Sequence, residues 1–138
     1  MRVYEIMHHA VHVGNISVAA AARIMEKENV DSVLVEHDIV GIVTEHDILR
    51  KVVARGIDPA KTTVSEIMSY PLHTIAKDES VELAGDLMNE HHIRRLVVEE
   101  SGKVVGVLSA ACMARNIKYI TARRLIASRL GETWAYVE

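Results

Sequence analysis

The residues Thr44-Glu45-His46-Asp47 follow an apolar run, Ile39 to Val43, and begin a helical pattern. At such a strand-to-helix junction a threonine caps the helix, and an aspartate three residues on reaches back to the first amides. The same geometry suits a ligand, because amides at a helix start bind phosphate and a carboxylate accepts hydrogen bonds from ribose hydroxyls. The run is interpreted either as a cap or as part of a nucleoside-phosphate site.

The chain repeats its own sequence with a period of about 60 residues, which suits two duplicated half-domains rather than a solenoid. Glu5-Ile6-Met7 returns as Glu66-Ile67-Met68, Ser17-Val18 as Ser80-Val81, and Gly41-Ile42-Val43-Thr44 as Gly106-Val107-Leu108-Ser109. We expect the halves to face each other across a pseudo-twofold axis, with a ligand cleft at that axis.

Each copy predicts the same order of elements: an extended segment, a helix, two strands and a second helix. In the first copy these are Ala10 to Asn15, a helix capped by Ser17 and ending near Asn29, Ser32 to Glu36, Ile39 to Thr44, and a helix from Glu45 to Gly56 with Ile48, Leu49, Val52 and Val53 on its apolar face. In the second they are Pro71 to Ile75, a helix capped by Ser80, Arg95 to Val98, Val104 to Ser109, and a helix from Ala110.

The C-terminal stretch has no counterpart in the first copy. Ile126, Leu130 and Trp134 recur every four residues, which predicts an amphipathic helix whose apolar face packs on its own domain or on a partner chain. The predicted organisation is a first repeat, a linker, a second repeat and a helical extension, at residues 1–57, 58–63, 64–118 and 119–138.

The charge, the apolar runs and the cysteine content of the chain limit which classes of function it can have. The net charge of -3 gives no general case for binding nucleic acid, and only the late basic residues leave a basic C-terminal face open. No apolar run reaches the roughly 20 residues that a membrane span takes, and the N-terminus lacks a secretory signal. The single Cys112 excludes an intrachain disulfide. We expect a cytoplasmic protein that engages neither a membrane nor nucleic acid.

The repeated Glu-Ile-Met tripeptides, the two capped helices and the run Gly41 to Ile48 resemble the cystathionine β-synthase (CBS) domain. The resemblance extends from Tyr4 to about Tyr119, as a tandem pair, or Bateman module. It implies an α/β (α+β) fold of two β-α-β-β-α half-domains. It also implies an adenine-nucleotide site between the repeats, formed by Thr44, Asp47, Leu72, His73, Ile93, Arg94 and Arg95.

The resemblance assigns a role to each part of that site. Thr44 and Asp47 hold ribose and phosphate, while Leu72 and Ile93 sandwich the base and backbone groups near His73 read its edge. Arg94 or Arg95 pairs with phosphate, because a guanidinium can donate twice. Without the repeat, the two arginines are interpreted as the solvated start of a strand. His46, beside the expected phosphate, is a further contact.

The mirror site departs from this pattern. Ser109 keeps the hydroxyl, but Cys112 replaces the acidic residue, and Asp31-Ser32 replaces the arginine pair. We therefore predict one strong nucleotide site per chain and one weak or empty site.

Other groups that could do chemistry have plainer interpretations. His8, His9 and His12 would suit a metal only on a helix, and no third and fourth ligand accompanies them, so we expect no metal site. His91-His92 is interpreted as a helix end, where imidazole suits the dipole. Cys112 is interpreted as a packed or half-exposed thiol at a helix start, with no paired base in the sequence.

The leading functional hypothesis is a sensor of AMP, ADP or ATP that needs no cofactor. It would act as a homodimer on an unidentified effector protein, through a change in the angle between repeats or between chains. The alternative is a dimerisation or interaction module that needs no ligand, with the second helices of both halves supplying the contact. We do not expect an enzyme, because the sequence offers no nucleophile–base pair, P-loop or metal set.

Overall fold

The computed structural model describes residues 1–130 in two compact units. One, the 10–72 unit, spans Ala10–Leu72, and the other, the composite unit, joins Met1–His9 to the chain from His73 onward. The Glu-Ile-Met tripeptides are therefore exchanged, since the first lies in the composite unit and the second in the 10–72 unit. The bounds of these compact units differ from those of the repeats along the sequence. The repeat boundaries stay a prediction.

The 10–72 unit has the predicted order of elements. Strand β1 (His8–His9) precedes it, and β2 (His12–Val13), α1 (Val18–Glu28), β3 (Ser32–Glu36), β4 (Val40–Thr44) and α2 (Glu45–Ile48) belong to it. A π-helical turn, Leu49–Val53, continues α2, and a 3₁₀ turn covers Val64–Glu66. The sheet order is β2-β3-β4, with β2 parallel and β4 antiparallel to β3.

Helix α1 begins and ends where the sequence predicts. The Ser17 hydroxyl accepts a hydrogen bond from the Ala20 amide at 3.1 Å, and Asn29 ends the helix in the left-handed region with φ 53°. Short polar residues are favoured at both positions, because Ser accepts from an exposed amide and Asn tolerates a positive φ. The buried face of Val18, Ala21 and Met25 packs on the strands.

The composite unit repeats this order. It contains β5 (Thr74–Ala76), α3 (Val81–His91), β6 (Arg95–Glu100), β7 (Lys103–Ser109), α4 (Ala110–Arg115) and α5 (Ile117–Leu130). The sheet order is β1-β7-β6-β5, so that β1 adds an antiparallel edge strand to the repeat's own strands. Ser80 caps α3 through the Leu83 amide, and His92 ends it with φ 53°. The interpretation of His91-His92 as a helix end is confirmed.

The apolar face predicted after Glu45 is partly wrong. Val52 is fully buried and Ile48 is half-buried, but Leu49 and Val53 are 56% and 60% exposed. Residues 48 and 52 form one row of side chains and residues 49 and 53 the next. Only the first row faces the core of the 10–72 unit, and the second row is left at the surface of that unit.

The C-terminal helix begins earlier than predicted, at Ile117. Ile120 is buried in the core of the composite unit, whereas Ile126 is 46% exposed. Trp134, the last member of the predicted stripe, lies outside the described residues. Within residues 1–130, no helix has both the length and the apolarity that crossing a bilayer takes.

Candidate functional site

Thr44 and Asp47 form a reciprocal capping box where β4 becomes α2. The Thr44 hydroxyl accepts from the Asp47 amide at 3.2 Å, while Asp47 Oδ2 accepts from the Thr44 amide at 2.9 Å and from the Thr44 hydroxyl at 3.1 Å. The capping interpretation of the sequence is therefore confirmed. The box holds the Asp47 carboxylate in one position independently of any ligand.

Hydrogen-bond donors that were predicted to bind a phosphate are used within the protein itself. The Thr44 hydroxyl proton points to Asp47, and Thr44 is only 8% exposed. The Glu45 amide donates to the Asp31 carbonyl at 3.0 Å, and the Asp47 amide donates to Thr44. These donors are engaged within the protein, and the expectation that Thr44 and the first amides bind a phosphate stays a prediction.

The other carboxylate oxygen of Asp47, Oδ1, faces Lys51, a residue that was not predicted to belong to the site. Lys51 Nζ lies 3.2 Å from Asp47 Oδ1 and donates to the Ile67 carbonyl at 2.8 Å. The Asp47 side chain is 14% exposed and that of Lys51 is 37% exposed. The signal in the sequence was the spacing of four residues, which places opposite charges side by side on a helix. Lys51 lies in the π-helical turn, a feature that often accompanies functional sites.

Ser32 adds a second polar group on the same face of the sheet. It stands directly opposite Thr44 in the β3–β4 register, and it is 1% exposed. Its hydroxyl has no hydrogen-bond partner in the part of the chain that the structure describes. Of the other predicted residues in this unit, His46 is exposed at the start of α2 and Leu72 is half-buried at the end of the unit.

The composite unit reproduces the box with a thiol in place of the carboxylate. Cys112 Sγ accepts from the Ser109 hydroxyl at 3.1 Å, and the Cys112 amide donates back to that hydroxyl at 3.0 Å. Arg115 also donates to the sulfur, at 3.5 Å. Ser109 is 1% exposed and Cys112 is 2% exposed, so Cys112 is a packed thiol, and neither group presents a charged acceptor. The prediction that this second site is weak or empty stays a prediction.

The predicted equivalence of Asp31-Ser32 and Arg94-Arg95 is confirmed by matching contacts in the two units. The Arg94 carbonyl accepts from the Ala110 amide at 2.9 Å, as the Asp31 carbonyl does from Glu45. Arg95 stands opposite Ser109 in the β6–β7 register, as Ser32 does opposite Thr44. The Arg94 side chain is exposed and that of Arg95 is half-buried. An exposed guanidinium remains open to an anionic ligand.

His73 and Ile93 lie in the composite unit as well. The His73 ring is 5.1 Å from the His91 ring, and its carbonyl accepts from the Val97 amide at 2.8 Å. The backbone at His73 therefore serves first to extend the parallel pairing of β5 with β6. Ile93 is half-buried just after α3. No described contact assigns either residue to a base.

The predicted site residues are thus divided between the two units. Thr44, His46, Asp47 and Leu72 belong to the 10–72 unit; His73, Ile93, Arg94 and Arg95 belong to the composite unit. Within the first set, the structure brings Thr44 and Asp47 into direct contact. Convergence of both sets on one ligand stays a prediction.

The histidines near the N-terminus lie in extended segments rather than on a helix. His8 and His9 form β1, and His12 lies in β2, where its Nδ1 atom is 3.0 Å from Glu36 Oε1. Among residues 1–130, no group of three or more His, Cys, Asp or Glu side chains is arranged to hold a metal ion.

Comparisons with known proteins agree with this architecture. The CBS domain model matches residues 3–54 and 64–119. CBS domain-containing protein YhcV of Bacillus subtilis is 35% identical over 104 residues, 74% of each chain. A Methanocaldococcus jannaschii protein is 33% identical over 101 residues, 70% of this chain and 54% of that protein. This chain therefore spans about half the length of that relative, and the same holds for one from Methanopyrus kandleri, at 52%.

A solved structure shows the same fold over nearly the whole chain. The hexameric CBS-CP12 protein from bloom-forming cyanobacteria superposes with a TM-score of 0.74 at 28% sequence identity. The superposition covers 96% of this chain and 90% of the cyanobacterial one. The fold predicted from the repeated sequence is confirmed.

Proposed function

This chain belongs to the CBS domain family and carries its domain twice, and on that premise we propose that it senses an adenine nucleotide. CBS domain pairs are in general regulatory, ligand-binding modules rather than catalysts. AMP, ADP or ATP would bind without being transformed. The bound nucleotide would change the geometry between repeats or between chains, and an effector protein would respond to that change.

The fixed position and partial exposure of the Asp47 carboxylate are the observation that carries this proposal. It is held in place by the Thr44 box, and its side chain keeps 14% of its surface exposed. A fixed, partly desolvated carboxylate is a strong acceptor for ribose hydroxyls, because it is oriented before the ligand arrives. The cap uses Oδ2, the oxygen that faces Thr44, whereas Oδ1 faces the partly exposed ammonium group of Lys51 at 3.2 Å.

Arg94 and Arg95 are proposed to hold the phosphate. The Thr44 hydroxyl and two first-turn amides are already used within the protein, so the guanidinium groups would supply most of the donors. A guanidinium can donate two parallel hydrogen bonds to one phosphate. Arg94 is the better candidate for direct contact, since its side chain is exposed.

The base is proposed to lie between Leu72 and Ile93, near the backbone of His73. Both aliphatic side chains are half-buried, which leaves apolar surface for an adenine ring to cover. His46, exposed at the start of α2, would add a contact to the phosphate. For binding to carry a signal, the nucleotide must have different affinities for two arrangements of the protein.

The proposal is tested by a ligand screen on the purified chain. Thermal shift followed by calorimetry would compare AMP, ADP, ATP, NAD and S-adenosylmethionine. We expect one or more adenine nucleotides to raise the melting temperature and to bind with one strong site per chain. No response at millimolar concentration, or steady turnover of a nucleotide, would contradict the proposal.

A second candidate function is self-association without a ligand. In the 10–72 unit, Leu49, Val53 and Ile57 expose 56%, 60% and 42% of their surfaces. In the composite unit, Ile117, Tyr119 and Leu125 on α5 are also exposed. Such apolar surface favours contact with another chain, as a homodimer or a larger assembly. The cyanobacterial CBS-CP12 relative is a hexamer.

Sedimentation with and without nucleotide separates the two candidates. If the protein binds no nucleotide in the screen and its assembly has the same size and affinity in both conditions, the result supports self-association without a ligand. A change in sedimentation on adding AMP, ADP or ATP supports the sensor.

A further inference from the structure

We infer that Lys51 is an internal competitor of the ligand, one that occupies Asp47 in the free protein and is displaced by a ribose with two free hydroxyls. This inference rests on the proposed function and assigns that site a residue that opposes ligand binding. It is drawn from the hydrogen bonds and the ion pair that surround the Asp47 carboxylate in the 10–72 unit.

The number of acceptor positions on Asp47 limits how many donors it can hold at once. An ionised carboxylate offers about four lone-pair positions. Oδ2 already accepts two hydrogen bonds from Thr44, at 2.9 and 3.1 Å, and Oδ1 faces Lys51 Nζ at 3.2 Å. Roughly one position is therefore left. A ribose diol donates two hydrogen bonds, so one of the present donors must leave when both are made.

Lys51 is the donor that can leave. The Thr44 amide and hydroxyl belong to the box that starts α2, so losing them would break the cap. Lys51 is 37% exposed and keeps a second hydrogen bond, at 2.8 Å to the Ile67 carbonyl. Its ammonium group can turn one donor to water while it keeps the Ile67 bond, because an ammonium carries three donors and this side chain is partly exposed.

The geometry therefore makes the site sensitive to the number of ribose hydroxyls. A ligand with one of them can use the remaining acceptor position while Lys51 stays in place. A ligand with both gains one more hydrogen bond only by breaking the ion pair. Removing the ammonium group should then favour the diol selectively, since Thr44 still holds the carboxylate in position.

The test compares adenosine with 2′-deoxyadenosine by calorimetry, using nucleosides so that the phosphate charge plays no part. In Lys51→Met we expect adenosine to bind about two- to fivefold more tightly, the equivalent of a part-exposed ion pair. The affinity for 2′-deoxyadenosine should stay within about twofold of the wild-type value, because that ligand need not displace Lys51.

Two variants make the comparison specific. Lys51→Arg keeps a cation within reach of Asp47 and should restore the wild-type ratio of the two affinities. Arg50→Met removes a neighbouring exposed positive charge and should leave the ratio unchanged. A structural effect of the methionine alone would move both nucleosides together.

The outcomes separate this inference from the proposed function. If the wild-type chain binds neither adenosine nor any adenine nucleotide, both are overturned. If adenosine binds but Lys51→Met leaves the ratio to 2′-deoxyadenosine unchanged, the competition by Lys51 is overturned and the sensor proposal stands.

Discussion

The Met68 side chain lies directly against Gly41, so that a Cβ atom at position 41 would lie 2.5 Å from the Met68 Sδ atom. The same relationship recurs in the composite unit, where a Cβ atom at Gly106 would lie 2.6 Å from the Sδ atom of Met7. Each Glu-Ile-Met tripeptide thus packs on the strand pair of the other copy. At both glycines of the repeated run, an added Cβ atom would have to displace the methionine.

The two glycines should differ in their tolerance of alanine. At Gly106 the added Cβ would also lie 2.7 Å from the His8 carbonyl oxygen, whereas at Gly41 the near atoms all belong to the flexible Met68 side chain. We expect Gly106→Ala to cost about 1–3 kcal/mol and Gly41→Ala to cost less than about 1 kcal/mol. The measurement is urea unfolding of both variants.

The gain from a less flexible unfolded chain is similar at both glycines and cancels in the comparison. Equal losses in the two variants would contradict the packing argument.

Replacing Asp47 by alanine should weaken ribose-bearing ligands by about 1–3 kcal/mol, the usual cost of losing a hydrogen bond to a charged group. Calorimetry with adenosine and AMP is the measurement. Asp38→Ala is the matched control, because the Asp38 side chain is 96% exposed on the β3–β4 turn.

A second substitution tests whether Arg94 acts on the same ligand. If it binds the phosphate, Arg94→Ala should lower the affinity for AMP and leave that for adenosine unchanged. Equal losses for the two ligands would assign Arg94 a structural role. An unchanged affinity for AMP would remove it from the site.

The Cys112 thiol should be protected in the folded chain. It is 2% exposed and lies within hydrogen-bonding distance of Ser109 and Arg115. Labelling with a chromogenic disulfide reagent should be slow in buffer and fast in denaturant, because reaction requires local opening. Since Cys112 is the only cysteine, the signal has one source. Fast labelling of the native protein would show that the α4 start is open to solvent.

Glu66 should make stability depend on pH in the acid range. The Thr63 amide, and then the Thr63 hydroxyl, donate to its carboxylate and hold the pKa of Glu66 below its ordinary value of 4.5. A lowered pKa in the folded state contributes stability that is present above pH 4.5 and is lost as the pH falls through the folded value.

The test uses Glu66→Gln, which removes this charge. The variant should melt below the wild type at pH 7, and the difference should shrink as the pH falls below 4.5. Glu26→Gln is the control, because it removes a carboxylate that is exposed on α1. A difference that is constant across this range would contradict the assignment.

The local structure could be predicted from the sequence because its causes are local. Ser17, Ser80 and Asn29 set helix ends through their own hydrogen bonds and backbone preferences. Short apolar runs next to turn residues identified the strands, and the repetition of the whole order indicated the family. Thr44 and Asp47 were recognised for the same reason, since a capping box is complete within four residues.

What the sequence could not decide depends on contacts between distant residues. The spacing of Leu49 and Val53 predicted burial, but only one row of that helix faces a core. The exchange of the two tripeptides shows no local signal, because Met7 and Met68 have the same neighbours in sequence whichever copy they pack on. The pairing of Lys51 with both Asp47 and the Ile67 carbonyl likewise needed the tertiary structure, which brings a residue 16 positions away to the same ammonium group.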